Sequence, residues 1–140
     1  MRVNIQYKDL FEKAMNQISP ELSIPRITGI TIDSRTVVRG DIFLALNGEN
    51  TDGHNYIDQA ERAGASIAIV EKDMDVSLPT IKVQSSRKFL NNLATLYRKS
   101  LTCPFIGITG TNGKTTTKDL LSHVLSASMN VMSTKGNFNS

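Results

Sequence analysis

The stretch 104–118 limits the fold of this chain more than any other, because it joins an apolar run to a glycine-rich turn. Its sequence is Pro-Phe-Ile-Gly-Ile-Thr-Gly-Thr-Asn-Gly-Lys-Thr-Thr-Thr-Lys, and apolar residues at helical spacing follow it. The pattern predicts a strand, a phosphate-binding loop and a helix. Such a loop suits a nucleoside triphosphate, because its N–H groups and the positive end of the helix point at the anion.

The loop contains the candidate nucleotide-binding residues. These are Thr109, Gly110, Thr111, Asn112, Gly113, Lys114, Thr115 and Thr116. Lys114 would lie on the outer phosphates, and the Thr115 hydroxyl would be a ligand for Mg²⁺, with Thr116 as the weaker candidate. The strict motif has glycine where Ile108 stands, so the match is a variant of the motif. The alternative is a chance Gly-Lys-Thr sequence in a surface turn.

The composition excludes several classes of protein. The net charge of +3 fits an anionic small ligand but is far from that of a basic nucleic-acid-binding arm, so no nucleic-acid binding is predicted. The single cysteine, Cys103, cannot form an internal disulfide, which fits a reducing compartment. The 140 residues contain no recognisable signal peptide or membrane span. A soluble cytoplasmic protein without membrane insertion is predicted.

Strand and helix patterns alternate along the chain. Strands are predicted at 27–32, 42–46, 66–70, 81–83, 105–108 and 131–132. Helices are predicted at 10–18, at 56–63 and up to Lys99 from an N-cap at Ser86. A fourth helix follows the loop, with an inner face of Leu120, Leu121, Val124 and Leu125. The alternation predicts an α/β fold.

A linker at 102–104 divides the chain, because a proline follows a completed helix and precedes the strand of the loop. We predict a small α/β domain at 1–101 and, at 102–140, the start of a phosphate-loop domain with strand, loop, helix and strand. About 39 residues are too few for a complete domain of that kind, since one βαβ unit takes about 30. We therefore expect the second domain to be truncated or completed by another chain.

Two polar clusters follow strands in the first domain, at 33–35 and 47–54. Loops at the carboxyl ends of strands bind ligands in open α/β sheets. Ser34 can donate to an oxygen, Arg35 can grip a phosphate or carboxylate, and His54 can donate to a phosphate. The alternative is that the aspartate and arginine of the first cluster pair locally, and that the histidine only caps the next helix.

Together these residues resemble the Mur ligase family, the cytoplasmic ATP-dependent amide ligases that assemble the peptide of bacterial cell-wall precursors. The N-terminal match comprises Asp-Ser-Arg at 33–35, Gly-Asp-Ile-Phe-Leu-Ala-Leu-Asn-Gly at 40–48 and Asp-Gly-His at 52–54. The second match is the loop at 107–117, where the family also has a non-glycine residue at the position of Ile108.

The resemblance implies a domain that binds a UDP-linked substrate at 1–101 and the start of a phosphate-loop ATPase domain at 102–140. The substrate-binding residues would be Ser34, Arg35, Asn47, Gly48, Asp52, Gly53 and His54. Lys114 would be catalytic, because its charge opposes that of the transferring phosphoryl group, and Thr115 would hold the metal. ATP and Mg²⁺ are the cofactors implied.

The segment Thr-Lys-Gly-Asn-Phe-Asn at 134–139 resembles the family members that add D-alanyl-D-alanine. In those members ATP phosphorylates the terminal carboxylate of UDP-N-acetylmuramoyl-tripeptide, and the amine of D-alanyl-D-alanine attacks the acyl phosphate. The full-length enzyme is expected to be a monomer. The 140-residue chain alone is expected to be inactive, because it lacks most of the central domain and the whole C-terminal domain.

Other functions are compatible with parts of the sequence. Family members that add the third peptide residue share the N-terminal pattern but typically have a Gly-Thr-containing segment at 134–139. A non-catalytic nucleotide-binding module would use the loop without ligation chemistry. Folylpolyglutamate synthase has a related ATPase domain but lacks the N-terminal motifs, which argues against it.

Overall fold

The computed structural model describes residues 2–18, 20, 27–48 and 51–134. The chain divides into two compact units, Met1–Thr102 and Cys103–Ser140. The first unit contains a five-stranded sheet with helices, so the predicted α/β fold is confirmed. Most of the segment at 134–139, and residues 49–50 of the second polar cluster, lie outside the described residues. Among the helices that are described, none has the length and apolar character needed to cross a membrane.

The strands of the first unit are β1 (Arg2–Asn4), β2 (Gly29–Thr31), β3 (Ile42–Leu44), β4 (Ile67–Val70) and β5 (Thr80–Lys82). Its helices are α1 (Lys8–Ile18), α2 (Ile57–Arg62) and α3 (Ser86–Ser100), with short 3₁₀ helices at Ser34–Thr36 and Gly53–Tyr56. The sheet order is β1-β2-β3-β4-β5. Strand β1 is antiparallel to β2, and the other neighbours are parallel. Strand β1 was not expected, because its sequence Arg-Val-Asn has one apolar side chain.

Side chains of the central strands alternate between two cores. On one face, Ile42 and Leu44 of β3 join apolar residues of β4, α1 and α3. On the other face, Phe43 joins Ala68 of β4 and Ile57 of α2. Because helices cover both faces, every side chain of β3 and β4 is buried, as is usual for parallel strands.

Helices α1 and α3 pack against each other on the same face of the sheet. The rings of Phe11 and Tyr97 meet edge to face, with centroids 6.0 Å apart and an angle of 74° between their planes. The Tyr97 hydroxyl accepts a hydrogen bond of 3.2 Å from the Tyr7 N–H, just before α1 begins. This aromatic contact adds to the apolar core that the two helices share.

The N-cap predicted at Ser86 is wrong by one residue. The Ser85 side chain caps α3 by accepting from the Lys88 N–H at 3.3 Å. Ser86 is instead the first helical residue and is fully buried, and its N–H donates to Glu71 Oε1 at 2.7 Å. Two adjacent serines satisfy the sequence pattern equally well, and the position of the Glu71 carboxylate decides between them.

The buried carboxylate of Asp41 joins three parts of the first unit through four hydrogen bonds. It accepts from Arg2 Nε at 2.5 Å, Arg2 Nη2 at 2.7 Å, Thr28 Oγ1 at 2.8 Å and the Val38 N–H at 2.9 Å. Its side chain is completely inaccessible to solvent. Burial opposes ionisation, but the hydrogen bonds from Arg2, Val38 and Thr28 outweigh it and lower the pKa of Asp41.

The second unit contains the helix predicted after the loop, α4 (Lys114–Ser126). The strands predicted at 105–108 and 131–132 are absent from the described structure, which assigns no strand between residues 103 and 134. A strand in a parallel sheet is completed by hydrogen bonds from its neighbours, and this range supplies no neighbour. The inner face predicted for α4 is also largely exposed, with Leu120 at 63% and Val124 at 65%.

Replacing Asp41 by asparagine should destabilise the first unit by about 3 kcal/mol, because Arg2 loses its charged partner in a buried network. The measurement is urea unfolding at neutral pH. The matched control is Asp73→Asn, which removes one half of an exposed pair with Lys82. That control should change the free energy of unfolding by less than about 0.5 kcal/mol.

The stability difference between the parent chain and Asp41→Asn should depend on pH. Because folding lowers the pKa of Asp41, its contribution is present above its ordinary value of 3.8 and is lost as pH falls through the lower folded value. The difference in stability between the parent chain and Asp41→Asn should therefore shrink below about pH 4. A difference that stays constant down to pH 2 would show that the charge of Asp41 is not what stabilises the fold.

Candidate functional site

A cavity of about 510 Å³ lies beside the loops that follow β2 and β3. Its lining residues are Ile32, Asp33, Ser34, Arg35, Phe43, Thr51, Tyr56 and Gln59. Phe43 is almost fully buried and contributes to the floor, whereas Ile32 and Tyr56 are 45% and 42% exposed. The cavity therefore combines apolar and aromatic surface with a guanidinium, a hydroxyl and an amide.

The first polar cluster is held in shape by its own aspartate. The Asp33 carboxylate caps the 3₁₀ helix Ser34–Thr36 by accepting from the Arg35 N–H at 3.1 Å. The two Asp33 oxygens also accept from Arg35 Nε and Nη2, each at 2.9 Å. These bonds from Arg35 lower the pKa of Asp33 to about 2. The guanidinium is thus fixed beside the cavity with donors left for a ligand, since Arg has five N–H groups.

Ser34 connects this cluster to the helix on the far side of the cavity. The side chain of Ser34 is buried, and its hydroxyl donates to Gln59 Oε1 of α2 at 2.8 Å. With the amide oxygen occupied, the amide nitrogen of Gln59 remains as a donor. The pair places a serine predicted from the sequence next to a glutamine that was not predicted.

The second polar cluster is built around Asp52. Its Oδ1 accepts from the His54 N–H at 3.0 Å and lies 2.5 Å from His54 Nδ1, and its Oδ2 accepts from Lys72 Nζ at 2.8 Å. The bond from Lys72, followed by those from His54, holds the pKa of Asp52 well below its usual range. The His54 ring is buried, and its Nε2 accepts from the Glu71 N–H at 2.9 Å.

Gly53 is required by the close approach of this cluster to the end of β3. Its N–H donates to the Leu46 carbonyl at 2.8 Å. A Cβ atom added at Gly53 would lie 2.7 Å from the Leu46 nitrogen and 2.8 Å from the Leu46 oxygen, both of them backbone atoms. No other residue fits there without displacing the strand end.

The structure brings together some of the predicted substrate residues and separates others. Ser34 and Arg35 line the cavity. Asn47 forms an isolated antiparallel bridge with Asp52, and Gly48 bonds to Thr51 through its N–H at 2.9 Å. His54, with Asp52 and Gly53, shapes the neighbouring turn instead of lining the cavity.

Four lining residues lie outside the two predicted polar clusters. They are Ile32, Phe43, Tyr56 and Gln59. One signal was available for two of them: Tyr56 and Gln59 are three residues apart, directly after the second polar cluster, so they share a helix face near its start.

The phosphate loop of the second unit ends at Gly113. This residue is the N-cap of α4 with φ of 76°, in the left-handed region that glycine adopts without strain. Its carbonyl accepts from the Thr117 N–H at 2.9 Å, which closes the first helical turn. Lys114 Nζ donates to the Gly110 carbonyl at 2.6 Å, so the ammonium lies across the loop.

The loop is accessible to a ligand. The predicted residues Thr109, Gly110, Thr111, Asn112, Gly113, Thr115 and Thr116 are all exposed. A Cβ atom at Gly113 would meet no atom within 4 Å, so the start of α4 is open to a ligand. The hydroxyl oxygen of Thr115 suits Mg²⁺, which is commonly held by one or two protein oxygens together with phosphates and water. Within the described ranges, no group of three or more His, Cys, Asp or Glu side chains could hold a metal without such help.

Comparison with known proteins identifies the family. Residues 26–109 match the sequence profile described as "Mur ligase family, catalytic domain", and residues 108–140 match "Mur ligase middle domain". The chain belongs to the Mur ligase family. The resemblance carried by the Asp-Ser-Arg, Asp-Gly-His and Gly-Lys-Thr motifs is thereby confirmed.

Two types of Mur ligase are among the relatives. The UDP-N-acetylmuramoyl-tripeptide–D-alanyl-D-alanine ligase of Synechocystis is 41% identical over 117 residues, which are 81% of this chain and 26% of that protein. The UDP-N-acetylmuramoyl-L-alanyl-D-glutamate–2,6-diaminopimelate ligase of Aquifex aeolicus is 41% identical over 104 residues, 73% of this chain and 22% of that protein. The chain thus spans about a quarter of the length of these Mur ligases.

Solved Mur ligase structures share the fold. MurF from Acinetobacter baumannii has a TM-score of 0.80 and 34% identity, covering 93% of this chain and 29% of that one. MurF ligase from Thermotoga maritima in complex with ADP has a TM-score of 0.71 and 37% identity, covering 79% of this chain and 26% of that one. The α/β arrangement described above is therefore that of MurF structures.

Gly53→Ala should destabilise the first unit by about 2 kcal/mol, because the new methyl group would overlap backbone atoms at the end of β3. The measurement is again urea unfolding, followed by tyrosine fluorescence. Gly107→Ala is the control, since a Cβ atom there meets nothing within 4 Å. Equal effects of the two substitutions would contradict the role given to Gly53.

Proposed function

We propose that the chain carries the UDP-substrate module and the phosphate loop of an ATP-dependent amide ligase. The ligase would add D-alanyl-D-alanine to UDP-N-acetylmuramoyl-tripeptide in the synthesis of the cell-wall precursor, and it would work in the cytoplasm. The observation that carries the proposal is the cavity beside the loops after β2 and β3, lined by Ser34, Arg35, Tyr56 and Gln59. The relatives of matching sequence and fold support the choice of reaction.

The chemistry of the cavity suits the UDP moiety. The exposed faces of Ile32 and Tyr56 are apolar and aromatic surface on which a pyrimidine base can pack. The Arg35 guanidinium, held by Asp33, has remaining donors in the fork geometry that matches a diphosphate. The amide nitrogen of Gln59, oriented by Ser34, offers a donor for a base carbonyl. We therefore assign substrate binding to the domain at 1–101.

We assign ATP binding to the phosphate loop of the domain that begins at 102. The relative from Thermotoga maritima was solved with ADP, which supports a nucleotide at the equivalent loop. The loop amides from Gly110 to Gly113 would bind the phosphates, and Lys114 would leave the Gly110 carbonyl to neutralise the transferring phosphoryl group. Thr115 would hold Mg²⁺, which when bound offsets negative charge on the phosphates.

The reaction proposed for the whole ligase has two steps, a phosphoryl transfer and an acyl transfer. The γ-phosphoryl group of ATP passes to the terminal carboxylate of the tripeptide, which gives ADP and an acyl phosphate. The amine of D-alanyl-D-alanine then attacks the acyl carbon, so an amide forms, phosphate leaves and the amine loses a proton. Lys114 is the catalytic residue that this chain would contribute.

A second candidate is the ligase that adds the third peptide residue. It is favoured by relatives such as the diaminopimelate ligase of Aquifex aeolicus, whose identity to this chain is the same 41%. The two candidates share the UDP moiety and ATP, so they make the same demands on the cavity and on the loop.

The role of Arg35 is tested by calorimetric titration with UDP. The parent chain should bind UDP, and Arg35→Lys should weaken binding about tenfold, because lysine keeps the charge but loses the planar fork. Arg87→Ala, which removes an exposed arginine of α3 outside the cavity, should bind as the parent does. Equal affinity of Arg35→Lys and the parent chain for UDP would contradict the proposed contact between Arg35 and the diphosphate.

The role of the loop is tested by titration with ADP and Mg²⁺. Lys114→Ala should weaken ADP binding at least about tenfold through the loss of a charge-assisted hydrogen bond. Lys99→Ala, an exposed substitution in α3, is the control. Binding of ADP without any binding of UDP or UDP-N-acetylmuramoyl-tripeptide would favour a nucleotide-binding module over a ligase.

A further inference from the structure

We propose that His54 is a positioning residue, which holds the turn bearing Tyr56 against the end of β4 through two hydrogen bonds in series. The ring lies between the Asp52 carboxylate and the backbone of Glu71, and it is buried. The inference rests on the proposed function, because the surface that His54 positions is the wall of the UDP cavity.

The hydrogen bonds define the protonation of the ring. Nε2 accepts from the Glu71 N–H at 2.9 Å, so Nε2 carries no proton. The proton of the neutral ring is therefore on Nδ1, which donates to Asp52 Oδ1 at 2.5 Å. This is the Nδ1–H tautomer. With the opposite tautomer, two N–H groups would face each other at Glu71 and two acceptors would face each other at Asp52.

One end of this series of bonds is anchored in the core. Glu71 directly follows β4, the strand between β3 and β5. The Glu71 carboxylate accepts from the N–H of Ser86, the first residue of α3, at 2.7 Å. The residue that donates to His54 is thus itself held between a central strand and a long helix, which makes it a rigid support.

The other end of the series is the turn that forms the cavity wall. Asp52 is the N-cap of the 3₁₀ helix Gly53–Tyr56 and accepts from the His54 N–H at 3.0 Å. Tyr56, the last residue of that helix, and Gln59, three residues later, line the cavity. The hydrogen bonds of His54 therefore tie these two residues to the end of β4, whereas the Gly53 N–H ties the same turn to Leu46 after β3. Lys72, the residue after Glu71, makes a second link from Asp52 to this strand end, but its side chain is 55% exposed, so solvent weakens that ion pair.

The tautomer can be measured directly in the parent chain. The sequence has two histidines, so a long-range ¹H–¹⁵N spectrum of the imidazole rings should contain two sets of signals. His54 should show a single neutral form with the proton on Nδ1, whereas the exposed His123 of α4 should show the signals of a solvated ring. A signal for His54 with the proton on Nε2 would overturn the proposal.

Two substitutions break the series at different bonds. His54→Asn can still donate to Asp52 but is too short to reach Glu71, and His54→Gln can still accept from Glu71 but loses the donor at the position of Nδ1. Because the bonds act in series, each variant should weaken UDP binding by a similar factor of about ten. His123→Gln is the matched control and should bind UDP as the parent does.

A double-mutant cycle separates positioning from general loss of stability. Combining Asp52→Ala with His54→Gln should weaken UDP binding no more than Asp52→Ala alone, because removal of the carboxylate already breaks the bond to His54 Nδ1. Additive effects on binding would overturn the proposal. Backbone amide spectra add a second criterion: the signals of Tyr56 and Gln59 should shift in His54→Gln and should not shift in His123→Gln.

The positioning role and the proposed function can fail separately. If the parent chain does not bind UDP, the assignment of the cavity is wrong. The positioning role is then still tested by the tautomer of His54 and by the amide shifts of Tyr56 and Gln59. If UDP binds but His54→Gln and His54→Asn bind it as tightly as the parent chain, positioning fails and the assignment of the cavity stands.

Discussion

The first unit depends on the burial of one carboxylate, that of Asp41. A buried charge is tolerated only when hydrogen bonds replace its hydration, and here four donors do so. Those donors come from β1, from the residue before β2 and from the turn before β3. The backbone of Asp41 also accepts from the Ser66 N–H at 2.9 Å, which places the start of β4. One side chain and its backbone thus fix the order of the first four strands.

The position of the cavity follows from this order. Parallel strands direct their carboxyl ends to one edge, so the polar clusters after β2 and β3 and the first residues after β4 meet there. The alternation of β3 sends Phe43 to the face covered by α2, and Phe43 becomes part of the cavity floor. The parallel order of the strands therefore accounts for both the apolar packing beneath this edge and the polar residues along it.

The parts that could be predicted from the sequence are those whose causes are local. The apolar run at 42–46 and the Gly-Lys-Thr turn before α4 need only their neighbours in sequence. The roles of Asp41 and His54 could not be predicted, because their partners Arg2 and Glu71 are 39 and 17 residues away. The prediction of a strand at 105–108 was wrong for the same reason, since a strand depends on a neighbouring strand that no local pattern reveals. The contact between Ser34 and Gln59, which joins residues 25 positions apart, belongs to this second class.

The contact between Lys114 and the Gly110 carbonyl has a thermodynamic consequence for any anion that reaches the loop. Arrival of the anion exchanges one partner of the ammonium for another, so the enthalpy gained is the difference between two hydrogen bonds. Because the Gly110 carbonyl already holds the ammonium, part of the rotamer entropy that a free lysine would lose on binding is lost before the anion arrives. When the anion leaves, the ammonium can return to the Gly110 carbonyl, so it is not left without an acceptor. Anion binding at this loop would therefore exchange one acceptor of the Lys114 ammonium for another.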